Sequence, residues 1–284
     1  MYWDNLDYHE GGRCVESIWM SHPAIREEIN RRISGSKGRW PLEWFAERFD
    51  SALPFESAVT IGCGTGALER DLVRKKIASR VTGLDIAPAP IERAREAAEA
   101  EGLTDRVSYE LAEAHEYLDQ RPEAFDAVFF HGSLHHFYRP VEILESSRRA
   151  LKEKGLVYID EYVGPSRTEW HPLRMLPANL AYYLLPRAAR RPKIVRAPIN
   201  YDDPTEAVAS NEILSAIDRV FERVERRDYG GNLLSVVYPN LRRPLGERAA
   251  FDAAVRRLVR LENAFLRLPG VTSYSTVVIA RKRA

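Results

Sequence analysis

Short apolar runs alternate with one-sided apolar stripes along the middle of this chain. Apolar positions recur at spacings of three and four over 68–77, 91–98 and 141–151, which is the period of an amphipathic helix. We expect the last of these helices to end at Gly155. Runs rich in apolar residues predict strands at 58–61, 80–84, 106–111, 125–130 and 156–159. This alternation predicts an α/β fold with a parallel sheet and right-handed crossovers.

Three alternating glycines, Gly62, Gly64 and Gly66, follow the first predicted strand. Glycine lacks a Cβ and tolerates left-handed dihedrals, so such a turn lets main-chain N–H groups approach a ligand closely. With Ala67 the turn also satisfies G-x-G-x-x-G/A, the dinucleotide-binding pattern. Asp85 ends the second strand, where a carboxylate can accept hydrogen bonds from ribose hydroxyls. These residues predict a nucleotide-like cofactor and leave its identity open.

Two further segments end in residues that suit a nucleoside site. The third strand runs into Ala112-Glu113-Ala114, which offers a carboxylate and a backbone N–H to an adenine edge. The fourth strand runs into 131–137, His-Gly-Ser-Leu-His-His-Phe. Together with the glycine turn and Asp85, this order of motifs resembles the class I S-adenosylmethionine (SAM)-dependent methyltransferases, in their small-molecule branch. The resemblance covers 53–161 firmly and the C-terminal strands weakly.

The resemblance implies a fold and a cofactor. The fold is the Rossmann-like class I methyltransferase fold: a seven-stranded, mostly parallel sheet in the order 3-2-1-4-5-7-6, with helices on both faces and an inserted cap. SAM would be the cofactor and S-adenosylhomocysteine the product. The glycines would line the methionine moiety, Asp85 would hold the ribose, and Ile86 would flank the adenine. The implied cofactor-binding residues are Gly62, Gly64, Gly66, Asp85, Ile86, Glu113, Ala114, His131 and Leu134.

Two other functions stay open on the sequence. An NAD(P)-dependent oxidoreductase on a Rossmann fold would use a similar glycine turn. Dinucleotide domains more often begin near their first strand, however, whereas some fifty residues precede this one. A SAM-binding protein with a non-methylating or non-catalytic role would carry the same motifs, since a fold does not fix a function.

Methyl transfer to a hydroxyl requires an aligned acceptor and a group that removes its proton. His135 and His136 follow the fourth strand and titrate near neutrality, and Glu161 lies at the end of the fifth strand. We regard these three as the catalytic candidates. The favoured acceptor is a hydroxyl oxygen of a specialised metabolite or sugar-type molecule, with nitrogen and carbon acceptors still open. Because acidic ligands are lacking after the fourth strand, we predict no metal.

The sequence divides into four predicted parts. They are an N-terminal helical segment or lid (1–52), the SAM-binding core (53–163), an inserted cap for the substrate (164–209), and the C-terminal part of the core (210–284) with a helical insertion around 233–270. Loops carry specificity on a fixed scaffold, so aromatic side chains of the cap could wall an acceptor. The predicted substrate-binding residues are Tyr162, Trp170, Tyr182, Tyr183 and Tyr201.

Composition narrows the partners. The 284 residues are 45% hydrophobic and 29% charged, and the net charge of +1 gives no overall electrostatic footprint for nucleic acid. No stretch approaches the roughly 18 apolar residues that span a bilayer. We expect a cytoplasmic protein with a small-molecule substrate, no nucleic acid and no membrane partner. The arginine-rich run 187–196 predicts a solvated face or a site for an anionic acceptor, and an apolar stripe over 246–268 predicts internal packing or a homodimer interface.

Overall fold

A computed structural model describes residues 19–191, 193–200, 202–242 and 248–283. Its strands form one seven-stranded sheet in the order β3-β2-β1-β4-β5-β7-β6, which confirms the predicted order. The strands are β1 Phe55–Ile61, β2 Ala78–Asp85, β3 Val107–Leu111, β4 Phe125–His131, β5 Leu151–Tyr162, β6 Phe221–Gly230 and β7 Ser275–Lys282.

The sheet is mostly parallel. Strands β1 to β5 pair in parallel, whereas β7 pairs antiparallel with both β5 and β6. Because parallel strands point the same way, their carboxyl ends meet at one edge of the sheet. That edge carries Ile61, Asp85, Leu111, His131 and Tyr162.

Helices cover both faces of the sheet. Phe45 and Leu72 belong to the apolar cluster on one face, and Leu144 and Ile217 belong to the cluster on the other. The helices are α1 Pro23–Ser34, α2 Pro41–Arg48, α3 Ala67–Arg74, α4 Pro88–Ala100, α5 Ala114–Asp119, α6 Pro140–Ala150, α7 Pro172–Tyr183, α8 Ile213–Val220, α9 Leu234–Val237 and α10 Arg248–Phe265. Among the short 3₁₀ turns, Leu134–His136 follows β4 directly.

Local sequence signals set both ends of α1. Pro23 is its first residue, and the side chain of His22 accepts a hydrogen bond from the backbone N–H of Ala24. Proline suits this position because its missing N–H would have no partner inside the helix. Gly35 ends the helix with φ of 80°, a left-handed conformation that glycine adopts easily.

The predicted boundary between the helix after β4 and the fifth strand is wrong. We expected the helix to extend to Gly155, but α6 ends at Ala150 and β5 starts at Leu151. Gly155 lies inside β5, where a Cβ would come within 3.0 Å of the carbonyl oxygen of Lys152 and 3.2 Å of that of Asp126. Its glycine therefore permits close strand packing beside an irregularity in the β4–β5 register, and does not terminate a helix.

The described part of the apolar stripe predicted over 246–268 packs within the chain, except for Leu268, which is 54% exposed. In α10 the side chains of Val255 and Leu258 are fully buried, and the helix contacts α1, α7 and α9. These buried residues are therefore not available to a partner subunit. The homodimer stays a prediction, but the buried residues of this stripe do not support it.

The predicted cap contains α7 and several short turns. Ala178, Ala181 and Tyr182 are buried on the inner side of α7, and Arg190 forms an isolated antiparallel bridge with Leu241. Across the described residues, none of the helices is both long enough and apolar enough to cross a bilayer.

Candidate active site

The glycine turn between β1 and α3 is built around two close contacts. Gly62, Gly64 and Gly66 have φ values of 69°, 54° and 74°, in the left-handed region. A Cβ on Gly62 would lie 2.7 Å from the Cβ of Ser133, and a Cβ on Gly66 would overlap the Tyr109 ring. Only glycine satisfies both the dihedrals and the space at these two positions.

The Asp85 carboxylate is fixed at the end of β2 by backbone donors. The N–H of Gly64 donates to its Oδ2 at 2.9 Å, and the N–H of Ala87 donates to its Oδ1 at 3.0 Å. The sequence-predicted pair of glycine turn and acidic residue is thus in direct contact. A negative charge lies against the turn before any ligand binds.

A cavity of about 450 Å³ opens at this edge of the sheet. Seven of the predicted cofactor-binding residues line it: Gly62, Gly64, Asp85, Ile86, Glu113, Ala114 and His131. Ser133 and Phe137, from the segment 131–137 that the sequence singled out, also line it, whereas Cys63, Pro90 and Thr205 were missed as lining residues. The Glu113 carboxylate also caps α5, because its Oε2 accepts the N–H groups of His115 and Glu116 at 2.8 and 3.2 Å.

Two predicted cofactor-binding residues lie outside this lining. Leu134 is fully buried in the core below the cavity, and its backbone N–H donates to Glu161. Gly66 lies behind the turn, where its carbonyl accepts the Tyr109 hydroxyl at 2.8 Å.

A second cavity of about 460 Å³ adjoins the first and shares Ile61, Gly62, Cys63 and His131 with it. Its other lining residues come from the N-terminal helices, α3 and the ends of β4 and β5, and include Arg26, Trp40, Thr60, Glu69, Tyr158 and Asp160. The shared wall places the two cavities side by side along the carboxyl edge. Ligands bind at this edge in open α/β sheets.

Arg26 brings a cation to the second cavity. Its guanidinium carbon lies 4.7 Å from the centroid of the Trp40 ring, and no described carboxylate is within ion-pair distance of it. Burial lowers the pKa of Arg26, and the nearby Asp160 carboxylate opposes this effect. Arg26 was missed on the sequence because no spacing signal shows where α1 packs.

His135 and Glu161 form a buried pair at the end of β5. His135 Nδ1 lies 2.5 Å from Glu161 Oε1, and Glu161 Oε2 accepts the N–H groups of Ser133 and Leu134. Burial acts to raise the pKa of Glu161, but His135 and the backbone donors outweigh it, so this pKa is lowered. Burial acts to lower the pKa of His135, but Glu161 reverses this, so that pKa is raised.

His136 lies beside this pair and lines the first cavity. The Thr205 hydroxyl donates to Asp203 at 2.7 Å, so His136 Nδ1, 3.1 Å from the same hydroxyl oxygen, acts as the donor to it. Burial, and then the positive charge on His135, lower the pKa of His136 to about 4. His136 is therefore neutral at pH 7. The structure brings all three catalytic candidates together.

The cap adds acidic groups that sequence reasoning missed. Glu206 Oε2 lies 3.9 Å from His135 Nε2, and burial raises the pKa of Glu206. His135, His136 and Glu206 offer ligand atoms that all lie within 4.8 Å of one another. A tetrahedral metal with ligands at about 2.1 Å holds them about 3.4 Å apart. The observed 3.9 Å is wider, and the prediction of no metal stays a prediction.

The four predicted substrate-binding aromatics that the structure describes line neither of the two cavities. The Tyr162 hydroxyl donates to the Pro165 carbonyl, and its ring packs edge-on against His135. Trp170 packs edge-on against Tyr274, and Tyr182 is fully buried in the core. Tyr183 faces outward on α7 and donates to the Lys193 carbonyl at 2.5 Å. Tyr201 lies outside the described residues.

Comparisons with known proteins agree on one family. A family model described as "Methyltransferase domain" matches residues 59–159. The 27-O-demethylrifamycin SV methyltransferase of Amycolatopsis mediterranei (strain S699) is 27% identical over 165 residues, covering 56% of this chain and 55% of that protein. The methyltransferase GfsG of Streptomyces halstedii is 31% identical over 165 residues, covering 57% and 52%. The ubiquinone biosynthesis O-methyltransferase of Histophilus somni (strain 2336) is 30% identical over 112 residues, covering 38% and 45%.

The matched region spans about half the length of these curated relatives. Solved structures show the same fold at low identity. The [4+2]-cyclase SpnF has a TM-score of 0.51 at 15% identity, covering 92% of this chain and 93% of that chain. The MccD protein has a TM-score of 0.51 at 14% identity, covering 84% and 95%. These two likenesses support the fold alone.

Proposed function

This chain belongs to the class I SAM-dependent methyltransferase family, and from that premise we propose that it transfers a methyl group from SAM to a hydroxyl oxygen of a small molecule. The observation that carries the proposal is the pair of adjoining cavities along the glycine turn. Its first cavity suits a nucleoside and its second suits an amino-acid tail.

The charges around the turn favour SAM over a nicotinamide dinucleotide. Gly64 already donates its N–H to the Asp85 carboxylate, so this N–H is not available to a pyrophosphate at the same turn. A nucleoside with a sulfonium and an ammonium group meets attraction there instead. Asp85 would accept from the ribose hydroxyls, and Glu113 with the N–H of Ala114 would meet the adenine edge.

The second cavity has groups for the methionine tail of the cofactor. Arg26 offers a guanidinium that would bind the carboxylate, and Glu69 and Asp160 add acidic groups for the ammonium. SAM, when bound, supplies a methyl group on a sulfonium that needs no further activation. The residues of this chain then hold the acceptor in line and remove its proton.

Proton removal is assigned to the His135–Glu161 pair. Glu161 orients the imidazole through Nδ1, which leaves the Nε2 edge of His135 directed toward the cap. A carboxylate that holds one imidazole nitrogen stabilises the imidazolium formed when the other nitrogen takes a proton. His136 lines the cofactor cavity beside the pair and would position the acceptor.

The acceptor class comes from the relatives. Their names describe methylation in rifamycin and ubiquinone biosynthesis, and two of the three specify an oxygen atom. We infer a hydroxyl of a specialised-metabolite or sugar-type molecule for this chain. The competing function is a SAM-binding protein that does not methylate, since a neighbour of the same fold is named a cyclase.

Calorimetric titration with SAM and with NADH tests the cofactor. Asp85→Ala should weaken SAM binding by about 1.5–3 kcal/mol, roughly 10- to 150-fold, because it removes charge-assisted hydrogen bonds to the ribose. The SAM affinity of Asp85→Asn should lie between that of Asp85→Ala and that of the unaltered protein. Asp105→Ala, which removes an aspartate with 76% of its side chain exposed, is the matched control and should bind SAM normally.

Methyl transfer from labelled SAM into a panel of hydroxylated small molecules tests the reaction. Labelled product with release of S-adenosylhomocysteine would support the proposal. SAM binding without transfer to any acceptor would favour the non-methylating alternative. Binding of NADH in place of SAM would overturn the cofactor assignment.

A further inference from the structure

Helix α7 of the cap turns its large apolar side chains outward. Leu173, Leu176, Leu180 and Tyr183 are 54–72% exposed and recur at spacings of three, four and three residues. Side chains at these spacings share one face of a helix. Leu184, just after the helix, is 44% exposed and continues the same face. This row is about 16 Å long, at 1.5 Å per residue.

The opposite face of α7 is already packed. Ala178, Ala181 and Tyr182 are buried against the rest of the chain, so the helix is held in place without its leucines. Contiguous apolar patches on a soluble protein mark contact surfaces. The exposed row is therefore not required to hold the helix in place, and we expect it to contact a partner.

Cations lie directly beside this row. A shallow depression of about 670 Å³ begins at Tyr183 and is lined by Arg187, Arg190, Arg191, Lys193 and Arg242, and none of its described lining residues is acidic. No described residue forms an ion pair with any of the five. Arg190 places its guanidinium carbon 5.0 Å from the Tyr183 ring centroid, so the cationic and apolar parts are in contact. Ile194, next to Lys193, is 62% exposed.

We propose that this cap face, the apolar row 173–184 with the cations 187–193 and Arg242, binds the surface of an anionic lipid membrane. An amphipathic helix with leucines on one side and adjacent arginines matches an interface that has acyl chains below and anionic headgroups above. The inference does not rest on the methyltransferase proposal. It departs from the expectation of no membrane partner, which rested on the absence of a spanning segment.

The cations favour an anionic membrane over a second copy of the chain as the partner of this face. In a two-fold dimer the same patch faces its own copy, so pairing of the apolar rows would give these cations no negative charge from the patch opposite. A small anion would satisfy the arginines and leave the leucine row uncovered. A flat anionic surface covers both parts at once.

Cosedimentation with vesicles tests the proposal. Phosphatidylcholine vesicles are compared with vesicles containing about one third phosphatidylglycerol, at about 0.1 M and about 0.5 M salt. The unaltered protein should sediment with anionic vesicles at low salt and much less at high salt. The variants Leu173→Gln/Leu176→Gln/Leu180→Gln and Arg187→Ala/Arg191→Ala/Lys193→Ala should each bind about tenfold or more weakly.

Matched controls come from elsewhere on the surface. Leu268→Gln alters a leucine that is 54% exposed, and Arg80→Ala alters an arginine with 66% of its side chain exposed; both should bind vesicles normally. Circular dichroism confirms that each variant is folded. Absence of binding to anionic vesicles, or equal binding by all variants, would overturn the proposal. So would a dimer in sedimentation equilibrium that the leucine variant dissociates, because a second copy would then cover the row.

Discussion

Glu69, a buried carboxylate in the helix that follows the glycine turn, affects the stability of the fold. The Thr60 hydroxyl donates to its Oε1, while Oε2 is buried with no described hydrogen-bond partner. Burial disfavours the charged form and raises the pKa of Glu69 to about 7. At neutral pH this group is therefore divided between its protonated and ionised forms.

Replacing Glu69 by glutamine should change how stability depends on pH. The unfolded carboxyl loses its proton near 4.5, whereas the folded one keeps it to about 7. The free energy of unfolding of the unaltered protein therefore decreases as pH rises between these two values. The Glu69→Gln variant lacks this loss and should gain up to about 3 kcal/mol relative to the parent between pH 4.5 and pH 8.

Urea unfolding at several pH values measures this difference. Glu56→Gln is the control, because this glutamate has 71% of its side chain exposed and should leave the curve unchanged. Parallel pH curves for Glu69→Gln and the parent would show that Glu69 ionises normally in the folded chain.

The His135–Glu161 pair predicts the pH dependence of turnover. Because the pKa of His135 is raised by the neighbouring Glu161 carboxylate, the imidazole is protonated at low pH and becomes a base only at a pH above the ordinary range of histidine. Activity should increase through that pKa. His135→Asn should lower turnover about a hundredfold or more. Glu161→Gln should move the rising limb to lower pH, because the carboxylate that raises the pKa is gone.

A pH series of initial rates with saturating SAM measures both effects. His171→Asn, which alters an exposed histidine of the cap, should behave like the parent. If Glu161→Gln lowers activity without moving the limb, the rising limb belongs to another group and His135 is not the base.

Among whole elements, α10 and the turn after β6 depend on one another through Glu262. Its Oε1 accepts the N–H groups of Gly231 and Asn232 at 2.6 and 3.0 Å, and its Oε2 accepts that of Leu233 at 2.6 Å. Glu262→Ala would leave three buried donors without an acceptor. We expect a loss of about 3 kcal/mol or more in the free energy of unfolding.

Chemical denaturation measures that loss. Glu222→Ala breaks the exposed ion pair with Arg281 and should cost no more than about 1 kcal/mol. Equal costs for the two variants would show that the turn finds other partners when Glu262 is removed.

Elements whose ends carry a local signal could be predicted from the sequence. Pro23 and Gly35 bound α1, and the glycine turn with Asp85 marks the ends of β1 and β2. The start of β5 could not be predicted, because its early residues alternate charge and the space at Gly155 is limited by Leu151 and Lys152 of β5 together with Asp126 of β4. A local sequence pattern indicates the conformation of its own segment, but it does not indicate which other segments pack against it.

For the whole molecule, the site residues that could be predicted are those placed by strand ends, and the missed ones are those placed by packing between distant segments. Asp85, Glu113 and His131 stand at strand ends, so topology alone brings them to one edge. Arg26 and Glu206 reach that edge only because α1 and the cap pack over it. Packing between distant segments depends on side-chain fit over the whole chain, which spacing does not encode.

Three distant parts of the chain meet at the histidines after β4, and their connection does not need an ion. His135 is tied to β5 through Glu161, and His136 is tied to the cap through Thr205. A metal that held these parts together would stabilise the fold in proportion to its binding.

Removal of metal ions should therefore leave this protein unchanged. Dialysis against EDTA is expected to alter neither the melting temperature nor the methyl-transfer rate, and elemental analysis should find well below one metal ion per chain. The His135 Nε2 to Glu206 Oε2 distance is 3.9 Å, and a tetrahedral ion holds its ligand atoms about 3.4 Å apart, so these two atoms would have to approach one another to bind one. A stoichiometric metal whose loss lowers both quantities, with recovery on adding it back, would make these residues ligands instead of a proton-handling pair.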